Sequence, residues 1–174
     1  MEVRILRYPT DADWARAYML ALGTEGKNAD KVPGSAWRTK LLRSGHSPAR
    51  TLMYTVELQD VPYWVAMHLV RHKVGIEHYV SSLRNDWQSR YDRIAARQDA
   101  PVLYRFDANA TAIINISQKR LCRKASPETR AAWEKVCDAI EQVTPEMFGI
   151  LAPACDHQGG YCFEFKPCGR CSRR

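Results

Sequence analysis

The chain has 174 residues, 45% of them apolar and 26% charged, with a formal charge of +7. This composition excludes a globally disordered polypeptide and supports a core of about one domain. No apolar run approaches the ~18 residues that cross a bilayer, and the opening MEVRILRYPT lacks a signal-peptide core, so a cytoplasmic protein with no membrane partner is expected. The positive charge favours polyanionic ligands without choosing among RNA, DNA and phosphorylated small molecules. Three arginines cluster in the terminal GRCSRR and the other cations are scattered, which makes nucleic acid the weaker candidate.

Residues 2–7 alternate as a first strand, with Val3 and Ile5 on one face. Thr10 and Asp13 form a capping box for a helix to about Leu22 that turns Trp14, Tyr18 and Leu22 inward. GTEGKNADKVPG is loop by composition, and Ser35 is expected to cap a short helix through Leu42, followed by Gly45. Residues 50–58 read as a strand with Leu52, Tyr54, Val56 and Leu58 sharing a face. Asp60 is expected to cap a helix with Pro62 in its first turn, running to about His72, where Gly75 breaks it. Tyr79 to Leu83 is a candidate short strand, and residues 86–107 are polar, mixed and unassigned. A helix from Asp107 or Ala108 to about Lys124 follows. Ser126 and Pro127 open another, carrying Trp133, Val136, Cys137 and Ile140 at helical spacing, and Thr144 and Pro145 open a short one through Ile150. With no repeat or linker, the expectation is an α+β domain ending in a small cysteine-bearing tail.

The most informative stretch is RHKVGIEHYVS, in which Arg71, His72 and Lys73 precede Ser81 by seven intervening residues. On physical grounds alone, cations ending a helix are stabilised by its dipole, which gives a purely structural account. His68 and His72, one turn apart, also have the spacing of a metal pair, but the sequence names no third ligand. Glu77 and His78 are adjacent, and neighbours on a strand point to opposite faces, which opposes an acid–base pair.

The longer pattern resembles the flavin-dependent thymidylate synthases, whose signature runs Arg-His-Arg, seven residues, then Ser, with Arg-Tyr two residues on. Arg71, His72, Lys73 and Ser81 stand in register with it; Gly45-His46 stands where that family has a Gly-His pair. Downstream, Asn109-Ala110-Thr111, Arg120-Leu121-Cys122, Ala125, Glu128 and Arg130 follow the family's later helix pattern. The three blocks cover roughly residues 40–150.

The resemblance implies a central, mostly antiparallel sheet packed with helices, residues 1–152 forming the flavin and nucleotide unit and 153–174 its cysteine-containing extension. It implies transfer of a one-carbon unit from methylenetetrahydrofolate to C5 of dUMP or a related pyrimidine deoxynucleotide, on FAD reduced by NADPH, in a homotetramer with shared sites. His46, Arg71, His72, Lys73 and His78 would surround the flavin, and His46, Arg71 and Arg130 would serve the chemistry. His68, Ser81, Ser82, Arg84, Arg120 and Arg130 would hold the nucleotide. These residue types suit the task, because cations stabilise an anionic reduced flavin and the reaction depends on positioning. A glycine-rich dinucleotide fingerprint is absent, so flavin binding rests on the resemblance.

Departures fall mostly on the nucleotide side. Lys73 replaces an arginine and loses its bidentate fork. Ile76, His78 and Tyr79 replace a serine, an asparagine and a glutamate; Leu83, followed by Arg84, and Thr111 replace arginines; and His68 stands for a glutamine. Each lost guanidinium–phosphate pair is worth about 1.5–3 kcal/mol. A divergent branch acting on another pyrimidine nucleotide, or delivering a hydroxymethyl in place of a methyl group, fits this pattern.

Cys155, Cys162, Cys168 and Cys171, with His157 among them, form an irregular set that ends in a CxxC, and Gly159, Gly160 and Gly169 lie between. Structural zinc and unliganded thiols both remain open, whereas Cys122 and Cys137 fall on apolar helix faces as small core residues. Two rival functions stand beside the enzyme: a single-stranded nucleic-acid platform from Trp87, Tyr91 and the cations between Arg84 and Arg97, and a non-catalytic scaffold.

Overall fold

The computed structural model describes residues 1–81 and 94–171. Four strands, β1 (Glu2–Arg7), β2 (Met53–Pro62), β3 (Ile76–Val80) and β4 (Pro101–Asn109), form one sheet in the order β1-β2-β4-β3, and every pairing is antiparallel. The α+β class and the antiparallel sheet agree with expectation. The centre of the sheet does not: β4 emerges from the stretch that the sequence left unassigned. Its buried residues alternate strictly, with Val102, Tyr104, Phe106 and Ala108 inward. Across the ladder, Tyr54 pairs with Ala108, Val56 with Phe106 and Leu58 with Tyr104, so both central strands turn their apolar sides to one face.

Helices cover that face. They are α1 (Asp11–Gly23), α2 (Ser35–Ser44), α3 (Tyr63–Leu69), α4 (Ala110–Arg120), α5 (Pro127–Val143) and the single-turn α6 (Ala154–His157), with short 3-10 turns at Ser47–Thr51 and Pro145–Met147. Trp133 of α5 stacks on Phe106 at 5.8 Å and donates its indole N–H to Ser117 Oγ at 2.9 Å, so this large core side chain is both packed and satisfied. The other face of the sheet is polar, bridged by Thr55 to Asp107 (2.6 Å) and Arg105 to Glu57 (2.6 Å). No helix among the described residues is long and apolar enough to cross a membrane.

Several boundaries differ from the sequence reading for local reasons. The Thr10–Asp13 capping box is present, but Ser35 is the first residue of α2 and Gly34 is its cap. Tyr18 and Leu22 are half-buried, and Trp14 and Ala17 take the core positions of α1. Asp60 caps nothing. It lies in β2 at φ 55° where the register shifts between Leu58 and Val61, and α3 starts without a side-chain cap. Strand β2 begins at Met53, since Ser47–Thr51 is a 3-10 turn. Helix α3 stops at Leu69, leaving Arg71, His72 and Lys73 in the turn beyond it, and β3 begins at Ile76, three residues earlier than expected. Helix α4 starts at Ala110, capped by the Asn109 side chain, because β4 extends through Asn109, and it ends at Arg120. A 3-10 turn replaces the expected helix after Pro145.

Candidate active site

The turn after α3 is held by three neighbours. His72 is half-buried, and its Nε2 accepts from Arg120 Nε at 2.9 Å; Arg120 Nη2 also donates to the His68 carbonyl at 2.5 Å. A guanidinium only donates, so His72 must present a lone pair at Nε2 and carry its proton on Nδ1. The electrostatics agree: burial, then the charges of Arg120, His78 and Arg71, lower the His72 pKa to about 4. Burial and the nearby Arg71 also lower the pKa of Arg120, which nevertheless keeps its charge.

His78 fixes the same turn from β3. Its Nε2 lies 2.6 Å from the His72 carbonyl and its Nδ1 2.7 Å from Tyr104 Oη. A carbonyl only accepts, so Nε2 carries the proton. Burial raises the Tyr104 pKa, so the phenol keeps its proton and shares a hydrogen bond with Nδ1. Nε2 of His78 thus holds the backbone of His72, while Nδ1 ties the ring to Tyr104. Glu77, on the opposite face of β3, is exposed, as adjacent strand residues should be.

The start of α5 closes the cluster. Ser126 caps α5, accepting from the Thr129 N–H at 3.3 Å, and its hydroxyl donates to Thr129 Oγ1 at 2.8 Å. Thr129 Oγ1 in turn hydrogen-bonds His68 Nδ1 at 3.0 Å. His68 packs edge-on against Trp64 at 5.3 Å. His68 and His72 therefore serve separate hydrogen-bond chains. The group of metal-ligating side chains found among the described residues lies elsewhere, at Cys155, Asp156 and Cys171.

The remaining expected site residues are placed unevenly. Arg71 and Lys73 are exposed on the turn. Ser81 accepts from the Leu103 N–H at 3.1 Å, which leaves its hydroxyl proton available. Arg130 is half-buried beside Thr129 and pairs with Glu134 at 3.5 Å. His46 is exposed; it borders a cavity of about 330 Å³ with Trp37 and Lys40 and joins the His72 cluster through no hydrogen bond or ion pair among the described residues. Ser82 and Arg84, like Leu83, Trp87 and Tyr91, lie outside the described residues. Thr111, where the signature has arginine, has a buried hydroxyl without a partner among the described residues. Sequence reasoning missed Tyr104 and Thr129. The first was legible in the alternation of β4 and the second in its place three residues after the cap Ser126.

No family model matches the sequence, and no curated protein matches it closely enough to count. Solved structures do match. A flavin-dependent thymidylate synthase from Helicobacter pylori, complexed with FAD and dUMP, superposes with a TM-score of 0.70 at 16% identity, covering 87% of this chain and all of that one. The chain has the fold of the flavin-dependent thymidylate synthases. A second structure of the Helicobacter pylori enzyme with FAD and dUMP gives 0.64 at 15% identity over 80% of this chain and 93% of that one. A UMP/dUMP methylase from Streptomyces cacaoi, bound with 5-Br dUMP, gives 0.65 at 14% identity over 86% and 93%. Within this thymidylate synthase fold, Arg71-His72-Lys73 occupies the turn between α3 and β3, pinned by Arg120 and His78.

Proposed function

We propose that the chain is a flavin-dependent enzyme transferring a one-carbon unit to C5 of dUMP or a related pyrimidine deoxynucleotide. In this reading FAD is the cofactor, methylenetetrahydrofolate the donor and NADPH the reductant. The protein works as a cytoplasmic homotetramer, since 174 residues do not readily enclose three ligands in one protomer. Residues 1–152 carry the site and 153–174 extend it.

The observation that carries the reading is the locked turn. Arg120 and His78 hold His72 neutral with a donor at Nδ1, between the exposed cations Arg71 and Lys73. That donor set fits a flavin: two fixed positive charges offset the anionic reduced ring and its phosphates, and a neutral N–H supplies a directional bond. Bound flavin would supply the redox step. His78 and Arg120 act as positioning residues, because both ring nitrogens of His78 and the Nε and Nη2 of Arg120 are engaged by Tyr104, His72 and His68. His46 and Arg130 belong to the proposed site as flavin and pyrimidine contacts, and Ser81, through its remaining hydroxyl proton, to the phosphate. His68, Ser82 and Arg84 complete the nucleotide contacts. The similarity to a UMP/dUMP methylase favours a pyrimidine nucleotide as substrate while leaving room for the altered positions Lys73 and Thr111.

The test is a titration of the oxidised, FAD-loaded protein with dUMP, dCMP and their triphosphates, following the flavin spectrum. A yellow protein, bleached by dithionite and perturbed by one nucleotide, is expected, with the response lost in Arg71→Ala. A colourless protein that takes up no FAD would refute the proposal. An unchanged response in the folded variant would remove Arg71 from the site.

A further inference from the structure

The tail contains an arrangement that the flavin chemistry does not use. Cys155, Cys162, Cys168 and Cys171 all line one cavity of about 120 Å³, and its wall includes Lys119 and Cys122 at the end of α4. The ligand atoms of Cys155, Asp156 and Cys171 already lie within 4.8 Å of one another. Thiolates around a tetrahedral zinc stand about 3.8 Å apart, from Zn–S bonds of about 2.3 Å, so Cys155 and Cys171 need about an ångström of movement, and Cys162 and Cys168, which share the cavity but lie outside that group, move further to join them. Gly169 sits in the left-handed region at φ 81°, between Cys168 and Cys171, where a side chain would oppose the bend of that segment.

Packing gives a second, independent reason. Between Ala154 and Cys171, Cys162 is the one buried residue, and Phe163 and Phe165 are exposed. After the single turn of α6 the segment has no regular secondary structure. So little apolar burial does not offset the entropy of ordering such a stretch, and short segments of this kind are held by a cross-link or a metal. Charge also fits. Four thiolates around zinc carry two excess negative charges, and Arg170 stands beside them, 3.9 Å from Cys155 Sγ and 2.8 Å from Asp156.

We propose that Cys155, Cys162, Cys168 and Cys171 bind one structural zinc ion as thiolates, releasing their protons to solvent, and that the ion staples the tail against Cys122 at the end of α4. The inference is independent of the flavin reading. The experiment uses the full chain expressed with zinc and purified without chelator, analysed by native mass spectrometry and metal analysis. One zinc per chain is expected, retained in Cys122→Ser and lost in Cys155→Ser and Cys162→Ser. Cobalt in place of zinc should give thiolate charge-transfer bands and the intense visible bands of a tetrahedral site. Should the ligand variants fail to fold, chelation of the wild type reads the same property: stripping zinc should make the tail protease-sensitive. A metal-free wild type, a Cys155–Cys171 disulfide, loss of zinc from Cys122→Ser, its retention in Cys162→Ser, or a tail unchanged by stripping would each overturn the assignment.

Discussion

Replacing Arg120 by Met keeps an apolar stem and removes the guanidinium. Two acceptors lose their donor: His72 Nε2 at 2.9 Å and the His68 carbonyl at 2.5 Å. A hydrogen bond to a charged group is worth about 1.5–3 kcal/mol, but both residues are half-buried and water replaces part of the loss, so a net cost of about 2 kcal/mol is expected. For a chain of this size that lowers Tm by about 4–8 °C. The variant should also raise the His72 pKa from about 4 toward 6.5, without reaching it, because burial is the larger cause and remains. A lowered histidine pKa means that the unfolded chain binds the proton first. Stability is then fully present above 6.5 and is lost as pH falls through 6.5 toward 4. With solvent screening of a half-exposed ring, that loss is on the order of 1–2 kcal/mol. Imidazole NMR titration read alongside thermal melts between these pH values measures both effects. A wild-type His72 titrating at its ordinary value, or an Arg120→Met variant melting with the wild type, would refute the network.

Further outcomes follow from single contacts. Tyr104→Phe removes the hydrogen-bond partner of His78 Nδ1 and should reduce FAD retention more than it lowers Tm, checked by flavin content and melting of the same preparation. Gly75→Ala places a Cβ 2.5 Å from Asn109 Nδ2 at a φ of 72°, so it should cost about 1–3 kcal/mol in urea unfolding; a neutral result would mean that this approach is looser than described. Thr111→Val removes a buried hydroxyl that lacks a partner and should leave stability unchanged or raise it by about 1 kcal/mol, whereas destabilisation would reveal a missing partner.

The sequence by itself carried the local signals: the Thr10–Asp13 box, the Ser126–Pro127 start of α5, and the period of Trp133, Val136 and Ile140. These depend on residues within a turn or two of one another, so they are written in the chain. It also carried Arg71-His72-Lys73 as a signature, and the alternation of His78 and Glu77. It did not carry the centre of the sheet, because an alternating stretch becomes β4 only when β2 and β3 pair on either side of it. Nor did it show why His72 is neutral. That follows from Arg120 and His78, residues that are 48 and 6 positions away and meet it only when α4 and β3 pack on the end of α3. The tertiary structure alone decided which donors face which acceptors, since burial and charge at a point in space depend on every segment packed around it.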